Sequence, residues 1–331
     1  MTATGIIDSG VTRRVFAVAI MNCALPAFAA FAAFPDRPIT VSVPFGPGVT
    51  VEVLIRAICE EAGKILGQAI VVENRSGALQ RLPALAVRRA TPDGYTLGVG
   101  TDTVHVSQPV IDPRFTMRPT KDYEPVAALF ALPLVLVTHP SAPYRDVKGL
   151  VAYAKANASK INFAVPMGST AHFAALLFLQ NAGISASIVP YKDQASSLPD
   201  LLTGRVDLTF SGGTVKGPVE AGKLIPLGVT TAARWEAFPT VPSLKETGVD
   251  MDLSAWFSLV APPGTPQDVI SRLNAAFNQA IKSPQVMRKL NEVFMTPLGG
   301  GNMTPKQFTE MVEAQVKVLT PVLRTSGVKF E

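Results

Sequence analysis

The hydrophobic pattern of the chain changes its period within one stretch, residues 39–58. Ile39, Val41 and Val43 alternate with polar residues, which is typical of a half-buried strand. From Val51 onward the apolar residues recur at spacings of three and four, which is typical of an amphipathic helix. The stretch therefore predicts a strand that passes through a tight loop into a helix. The apolar face of that helix is predicted to carry Val51, Leu54, Ile58, Ala62 and Ile65.

The loop in this stretch, PFGPG at residues 44–48, can present backbone N–H groups to an anion. Gly46 and Gly48 allow a sharp turn and a close approach to a ligand, and two prolines stiffen the loop. Thr50 is predicted to cap the helix, with Glu52 in its first turn. Free N–H groups at the start of a helix attract anions. A tight connection without a ligand is the alternative interpretation, and the loop matches neither of the glycine-rich motifs that bind nucleotides.

Length and composition indicate a globular protein with more than one core. A chain of 331 residues is long for one core and sufficient for two lobes. Hydrophobic residues make up 47% and charged residues 17%, whereas disordered chains are poorer in large apolar residues. The net charge of +5 is small, and the longest run of basic residues is a pair. Nucleic acid is therefore not an expected partner, because binding it requires a clustered basic face.

Residues 1–33 have the composition of a cleavable export signal. Arg13 and Arg14 precede a charge-free apolar run that ends in alanines with A-x-A sites. A run of about 20 apolar residues could also stay as a membrane anchor, but Pro26 and the terminal alanines favour cleavage. The arginine pair resembles a twin-arginine signal, so the Sec and twin-arginine routes both remain open. We therefore expect a periplasmic protein that lacks residues 1–33.

Strands and helices alternate through the rest of the sequence. This alternation predicts an α/β fold in which each lobe is a mostly parallel sheet flanked by helices, with the ligand at the carboxyl ends of the strands. Two longer apolar runs, residues 126–137 and 256–261, predict a chain that crosses into a second lobe and returns. Helices are predicted, among others, over residues 147–156, 171–181 and 267–282. Residues 34–130 and 256–331 are assigned to lobe 1, and residues 131–255 to lobe 2.

The residue types of common catalytic and metal sites are scattered. Only Cys59 remains after export, and its place beside an apolar stripe predicts a buried, inert thiol. His105, His139 and His172 lack the HExxH spacing of a zinc site. Ser169 lacks the GxSxG context of a nucleophile elbow. We therefore expect no catalytic residue, no metal site and no cofactor.

Six separate segments together resemble one family of transport receptors. They are VPFGPG at residues 43–48, VVENRSG at 71–77, TPDGYTL at 91–97, GSTAH at 168–172, VPYKD at 189–193 and APPGTP at 261–266. In this order and spacing they resemble the Bug-type solute-binding receptors, the extracytoplasmic components of tripartite tricarboxylate transporters. The resemblance implies a two-lobed type II periplasmic-binding-protein fold that closes on a small carboxylate by a hinge motion. It also implies a monomer that delivers its ligand to the membrane subunits of the transporter.

The resemblance further implies which residues contact the ligand. They are Phe45, Gly46, Pro47, Gly48 and Thr50 in the first loop, Gly77 and Ala78 in the second loop, and Gly168, Ser169, Thr170, Tyr191 and Lys192 in lobe 2. The second loop departs from the family pattern, because Leu79 and Gln80 replace glycines whose backbone groups serve the ligand in the family. We expect these two side chains to narrow the cleft and so to change the ligand or weaken its binding. Ser211 and Gly212 likewise stand where acidic residues are common in the family.

Lobe 2 retains more of the pattern. Its sequence Gly168-Ser169-Thr170, just before a helix, offers hydroxyl and N–H groups to an anion, and N-capping is the alternative role of either hydroxyl. His172, one turn into that helix, is expected to make a structural hydrogen bond rather than to catalyse. We expect the carboxylate to depend on Ser169 and Thr170 together with residues 45–50. A receptor that signals to a membrane sensor is the alternative function, because it would need the same cleft.

We predict that the mature protein lacks residues 1–33 or nearly all of them, because a charge-free apolar run that ends in alanines is a substrate of signal peptidase. Mass spectrometry of the protein recovered from the periplasm should give a mass without this segment. An intact Met1 would contradict the prediction and would favour the membrane anchor.

Overall fold

Helices and strands alternate along the part of the chain that the structure describes. The computed structural model describes residues 34–76, 80–112, 114–115, 117–118, 120–157 and 160–325, so the predicted export signal lies outside it. Its strands are β1 (Ile39–Val43), β2 (Ile70–Asn74), β3 (Thr96–Thr101), β4 (Glu124–Pro133), β5 (Val135–Thr138), β6 (Asn162–Pro166), β7 (Ser187–Tyr191), β8 (Leu208–Ser211), β9 (Ile225–Val229), β10 (Ser254–Ala261) and β11 (Thr296–Pro297). Its α-helices are α1 (Thr50–Leu66), α2 (Arg81–Arg88), α3 (Gln108–Ile111), α4 (Val147–Ala156), α5 (Thr170–Ala182), α6 (Gln194–Leu202), α7 (Lys216–Glu220), α8 (Gln267–Ile281), α9 (Pro284–Glu292) and α10 (Pro305–Thr325).

Two mixed sheets organise these elements. Sheet one has the order β11-β4-β10-β3-β1-β2, in which β1 runs parallel to β2 and β3, while β10 runs antiparallel to β3 and β4. Sheet two has the order β7-β6-β8-β5-β9, in which β6 runs parallel to β7 and β8, while β5 runs antiparallel to β8 and β9. The α/β fold and its flanking helices were predicted, but the sheets are mixed rather than mostly parallel. Only parallel neighbours require a crossover helix, and the strands that carry the chain between the sheets lie antiparallel to theirs.

The chain passes between the two sheets twice, as the two long apolar runs predict. It leaves sheet one at the end of β4 and enters sheet two at β5, with Leu134 as the one residue between them. It returns through residues 230–253 into β10. The predicted lobe boundaries, at 130/131 and 255/256, fall inside β4 and β10. Because β4 and β10 pair with each other, the outgoing and returning connections are neighbours.

The start of α1 differs from the prediction. The helix begins at Thr50, and the capping position is Val49, which has extended backbone and no side-chain cap. The proposed cap by Thr50 is therefore wrong. Glu52 closes this end instead, because its carboxylate accepts a hydrogen bond from the Gly48 N–H at 3.1 Å. The same carboxylate accepts from Arg56, so the first turn is tied to the loop before it and to the next turn.

The buried face of α1 is wider than the predicted stripe. Leu54, Ile58 and Ala62 are buried as expected, but Ile65 is 40% exposed and Ile55 takes a place in the core. The helix packs against both β2 and α8, and two neighbouring layers bury a wider arc than one. Cys59 lies in this arc, buried as predicted, and burial raises the pKa of its thiol to about 12, which disfavours the reactive thiolate.

Phe294 connects the two sheets by packing on a glycine. It lies between α9 and β11, and its φ of +59° falls in the left-handed region that bulky residues rarely adopt. Its ring packs against Gly213, which follows β8, and lies beside Lys216, whose Nζ is 5.4 Å from the ring centroid. A Cβ on Gly213 would stand 2.2 Å from the Cβ of Phe294. Only glycine fits this contact without a shift of the backbone.

We predict that Gly213→Ala destabilises the protein by about 1 to 3 kcal/mol, because the added methyl group overpacks a rigid contact. Gly217→Ala is the matched control, since a Cβ there meets nothing within 4 Å and alanine favours the helix. Urea unfolding of both variants would measure the difference. Equal stability of the two variants would show that the contact between Phe294 and Gly213 yields easily.

Candidate functional site

A cleft of about 470 Å³ lies between the two sheets. On the side of sheet one its lining includes Gln80, Thr103, Leu132 and Ala255. On the side of sheet two it includes residues 166–171, 192–194 and 211–212. These last three segments follow the carboxyl ends of β6, β7 and β8, which is where α/β sheets bind their ligands.

The cleft brings together part of the predicted site. Gly168, Ser169, Thr170 and Lys192 line it, and Gln80 lines it from the opposite side. Gln80 has a φ of +71°, and its side chain accepts a hydrogen bond from the Thr101 hydroxyl at 2.9 Å. Gln80 thus lies in the cleft, at the place where the second loop is expected to narrow it. Gly77, Ala78 and Leu79 lie outside the described residues.

Other residues that are predicted to contact the ligand do not line the cleft. The loop from Phe45 to Thr50 is not among the residues that line the cleft. Its backbone is partly engaged, because Asn74 donates a hydrogen bond to the Phe45 carbonyl at 2.9 Å. Tyr191 is not among the lining residues either, and its hydroxyl donates a hydrogen bond to Asp200 at 2.7 Å.

The amino end of α5 forms one wall of the cleft. Ser169 caps the helix, since its Oγ accepts from the His172 N–H at 3.3 Å and its hydroxyl donates to the Pro166 carbonyl at 2.6 Å. His172 is buried, and its Nδ1 accepts from the Gly168 N–H at 3.3 Å. Burial lowers the pKa of His172 to about 4, so the ring is neutral at neutral pH. His172 thus makes the structural hydrogen bond that the sequence indicates.

Thr170 meets a carboxylate from the other side of the cleft. Its hydroxyl donates to Oδ2 of Asp102, which follows directly after β3, at a distance of 2.5 Å. Asp102 is buried, and burial raises the pKa of its carboxyl to about 6, against the opposing effects of the hydrogen bonds from Thr170 and from the backbone amides of Thr103 and Asp102. An ionised carboxylate only accepts hydrogen bonds, so the single hydroxyl proton of Thr170 is directed to Asp102.

The groups that remain available to an anion are of three kinds. The first-turn amides of Thr170 and Ala171 have no intrahelical acceptor, as at the start of every α-helix. Lys192 contributes an exposed ammonium at the edge of the cleft. Ser211 lines the cleft, is 1% exposed, and has no hydrogen-bond partner for its Oγ among the described residues. A buried hydroxyl without a partner is rare, and here it is consistent with a ligand that completes it.

Sequence reasoning missed Asp102 and the role of Ser211. Asp102 is a polar residue directly after the strand β3. A polar residue at the end of a strand is the sequence signal that could have suggested Asp102. In the sequence, Ser211 is evident only as a departure from the acidic pattern of the family. Its missing partner depends on the packing of β8 and could not be seen in the sequence.

A second cavity, of about 480 Å³, has a different character. It lies between α10, α5 and the segment that returns to sheet one, and it is lined mainly by leucine, methionine and tryptophan side chains. Trp256 in this lining already donates its indole N–H to Gln315 at 2.6 Å. Because the polar groups that suit an anion converge in the first cleft, that cleft is the candidate site.

Within the described ranges, two further classes of site have no candidate. No cluster of three or more histidine, cysteine, aspartate or glutamate side chains there could hold a metal ion. Among the helices of those ranges, none combines the length and apolar character needed to span a bilayer.

The sequence matches a known receptor family. The family described as tripartite tricarboxylate transporter family receptor matches residues 54–328. Among curated proteins, BugT of Bordetella pertussis is 30% identical over 302 residues, which cover 90% of this chain and 92% of BugT.

Solved structures agree with this match. Rpa4515 from R. palustris with adipate is 33% identical, has a TM-score of 0.69, and the alignment covers 89% of this chain and 98% of that chain. A TctC solute-binding protein from Polaromonas with no ligand is 25% identical, has a TM-score of 0.81, and the alignment covers 88% and 99%. The described fold is thus similar to both, with the higher TM-score for the structure that holds no ligand.

We predict that Ser211→Ala leaves the free energy of unfolding unchanged or raises it slightly, because it removes a buried hydroxyl that has no partner. Ser197→Ala is the matched control, since Ser197 is equally buried and donates its hydroxyl to the Gln194 carbonyl at 2.9 Å. The control should lose about 1 kcal/mol in urea unfolding of the ligand-free protein. A similar loss for Ser211→Ala would mean that its hydroxyl is already satisfied.

Proposed function

Because the chain belongs to the tripartite tricarboxylate transporter family of receptors, we propose that it binds a small carboxylate in the cleft between the two sheets. It is a solute-binding protein of the Bug and TctC type with the type II periplasmic-binding-protein fold. Its role is to capture the carboxylate outside the cytoplasm and to deliver it to the membrane subunits of a tripartite transporter. The expected periplasmic location and the removal of residues 1–33 are parts of the same proposal.

The observation that carries the proposal is the set of donors that converge in the cleft. The amides at the start of α5 carry the positive end of the helix dipole. Lys192 adds a positive charge, and Ser211 adds a hydroxyl whose proton is not committed to another described residue. Such a site favours a carboxylate, whose oxygens accept several hydrogen bonds at once. The similar protein Rpa4515, which was solved with adipate, supports the same class of ligand.

Ser169 and Thr170 remain part of the proposed site, but their hydroxyls do not take the direct role that the sequence indicates. Their hydroxyl protons are directed to Pro166 and Asp102, so Thr170 would serve a ligand first through its amide. Ser169 would position that amide by capping the helix. Residues 45–50 would join the site from across the cleft after closure, and Tyr191, on the same side as Lys192, would have to leave Asp200 to reach a ligand.

Closure of the two lobes is the second part of the proposal. In the described part of the chain, the one-residue connection from β4 to β5 and the return through residues 230–253 into β10 join the two sheets through the backbone, and two neighbouring connections of this kind permit hinge motion. The lobe division at residues 34–130 and 256–331 against residues 131–255 belongs to this proposal, and we expect a monomer.

Signalling to a membrane sensor is the alternative to delivery, because a sensor would use the same cleft and the same closure. Cross-linking in cells followed by co-purification distinguishes the two, since the delivery proposal requires the membrane subunits of the transporter as partners. The site offers groups that bind an anion, and no reaction is assigned to it. The family and its solved relatives are periplasmic solute-binding proteins, which supports a role in binding rather than in catalysis.

We predict that the mature protein binds adipate, and that Ser211→Ala and Lys192→Ala each weaken binding about tenfold or more. The physical reason is that one hydrogen bond to a charged group contributes about 1.5 to 3 kcal/mol. Isothermal titration calorimetry measures the affinities. Lys223→Ala is the matched control, because Lys223 is an exposed lysine outside the cleft lining and its loss should not change the affinity.

Small-angle X-ray scattering adds the structural readout. The radius of gyration should decrease at saturating adipate if the lobes close. Absence of binding for adipate and for further small carboxylates would overturn the proposed function. Binding without a change in the radius of gyration would overturn closure alone.

A further inference from the structure

Asp102 occupies an unusual place beside the candidate site. It reaches from the end of β3 in sheet one to Thr170 at the start of α5, and these two residues lie 68 positions apart in the sequence. The side chain of Asp102 is 6% exposed. It stands directly behind a residue that lines the cleft, so a ligand held at the start of α5 would lie one hydrogen bond away from a buried carboxyl group.

The hydrogen-bond roles of this pair depend on one proton. When Asp102 is ionised it can only accept, and Thr170 must donate its hydroxyl proton to it. Thr170 then presents only lone pairs to the cleft, which repel a carboxylate. When Asp102 is protonated it can donate to Thr170 instead, and the hydroxyl proton of Thr170 becomes free to bind the ligand. One protonation therefore removes a negative charge and creates a donor at the same place.

Among the described residues Asp102 has hydrogen-bond donors but no salt-bridge partner, since Thr170 and the backbone amides of Thr103 and Asp102 donate to its carboxylate. No salt bridge to Asp102 is formed within the described residues. From α2, Arg81 binds Gln108 at 2.7 Å and Asp112 at 2.6 Å. His105, on the turn after β3, and His172, on α5, both have pKa values lowered to about 4 by burial, so they are neutral at neutral pH. At the edge of the cleft, Lys192 and Asp193 carry opposite charges.

We propose that Asp102 is a charge-selecting residue of the cleft, which admits a carboxylate at the start of α5 only together with a proton. The inference rests on the proposed function, because it concerns how the same cleft binds its anion. Asp102 acts through Thr170 and is a positioning residue that need not touch the ligand. The consequence is that carboxylate binding strengthens as the pH falls toward the pKa of Asp102.

The sign and size of the effect follow from proton linkage. Burial raises the pKa of Asp102 to about 6 in the ligand-free protein, and a carboxylate ligand nearby would raise it further. Binding then takes up a proton wherever the pH lies above about 6. The affinity should fall about tenfold for each pH unit above that value and should level off below it.

The test compares wild type with Asp102→Asn in calorimetric titrations with adipate between about pH 5.5 and 8.5. Asparagine keeps the shape, donates to Thr170 and carries no charge, so its affinity should not depend on Asp102 titration. At pH 7.5 the variant should bind about 30-fold more tightly than wild type, since that pH is about 1.5 units above the pKa. Adipate titrates identically with both proteins, so its own titration cancels when their affinities at each pH are compared.

Asp193→Asn is the matched control, because it removes a carboxylate from the edge of the same cleft and asparagine can still cap α6. The loss of this charge can shift the affinity by a constant factor at every pH, but the affinity should keep the pH dependence of wild type. A second measurement uses wild type alone: titration in buffers of different ionisation enthalpy should show uptake of about one proton per adipate at pH 7.5. This readout stays informative if Asp102→Asn folds poorly.

The outcomes separate this inference from the proposed function. If adipate binds wild type with no proton uptake and with the pH dependence of Asp102→Asn, Asp102 does not select charge, while the carboxylate function stands. If Asp193→Asn loses the pH dependence instead, the titrating group is at the edge of the cleft and the inference is wrong. If adipate binds neither wild type nor Asp102→Asn at any pH, the carboxylate function fails and the inference fails with it.

Discussion

The antiparallel pairing of β4 with β10 is the constraint on which the rest of the structure depends. It joins the strand that leaves sheet one to the strand that returns, over a register from Ser254 opposite Pro133 to Ala261 opposite Glu124. The two connections are hydrogen-bonded neighbours, and the packing of Phe294 on Gly213 and of α10 on α5 adds further contacts between the parts built on the two sheets. The lining of the cleft includes residues from β4 and β10, Leu132 and Ala255. Two neighbouring connections beside a polar cleft are an arrangement that permits the proposed hinge motion.

The chemistry of the cleft depends on which polar groups the fold has already used. Ser169 caps α5 and donates to Pro166, and Thr170 donates to Asp102, so two conspicuous hydroxyls are engaged before any ligand arrives. The amides at the start of α5 and the hydroxyl of Ser211 remain. In the low dielectric of a partly buried cleft, these few groups and the charge of Asp102 have more influence than exposed charges.

Local structure could be predicted where the side chains of a short segment are enough to determine it. The helix predicted over residues 147–156 has those bounds, and the one predicted over 171–181 extends by one residue at each end. By contrast, Thr50 fails as a cap because Glu52 reaches back to Gly48, and Ile65 fails as a core residue because the buried arc of α1 is set by α8 as well as by the sheet. Capping and burial at these places depend on neighbours that the local pattern does not contain.

The sequence by itself determined the α/β class, the two crossings between sheets, the family, and the placement of Gly168, Ser169 and Thr170 at the start of a helix. These follow from side-chain period and from short motifs, which act over a few residues. The tertiary structure alone decided that the sheets are mixed, that Asp102 meets Thr170 across 68 positions, and that Ser211 is buried without a partner. The physical reason is that a hydrogen bond forms between whichever groups packing brings within about 3 Å, and packing is a property of the whole chain.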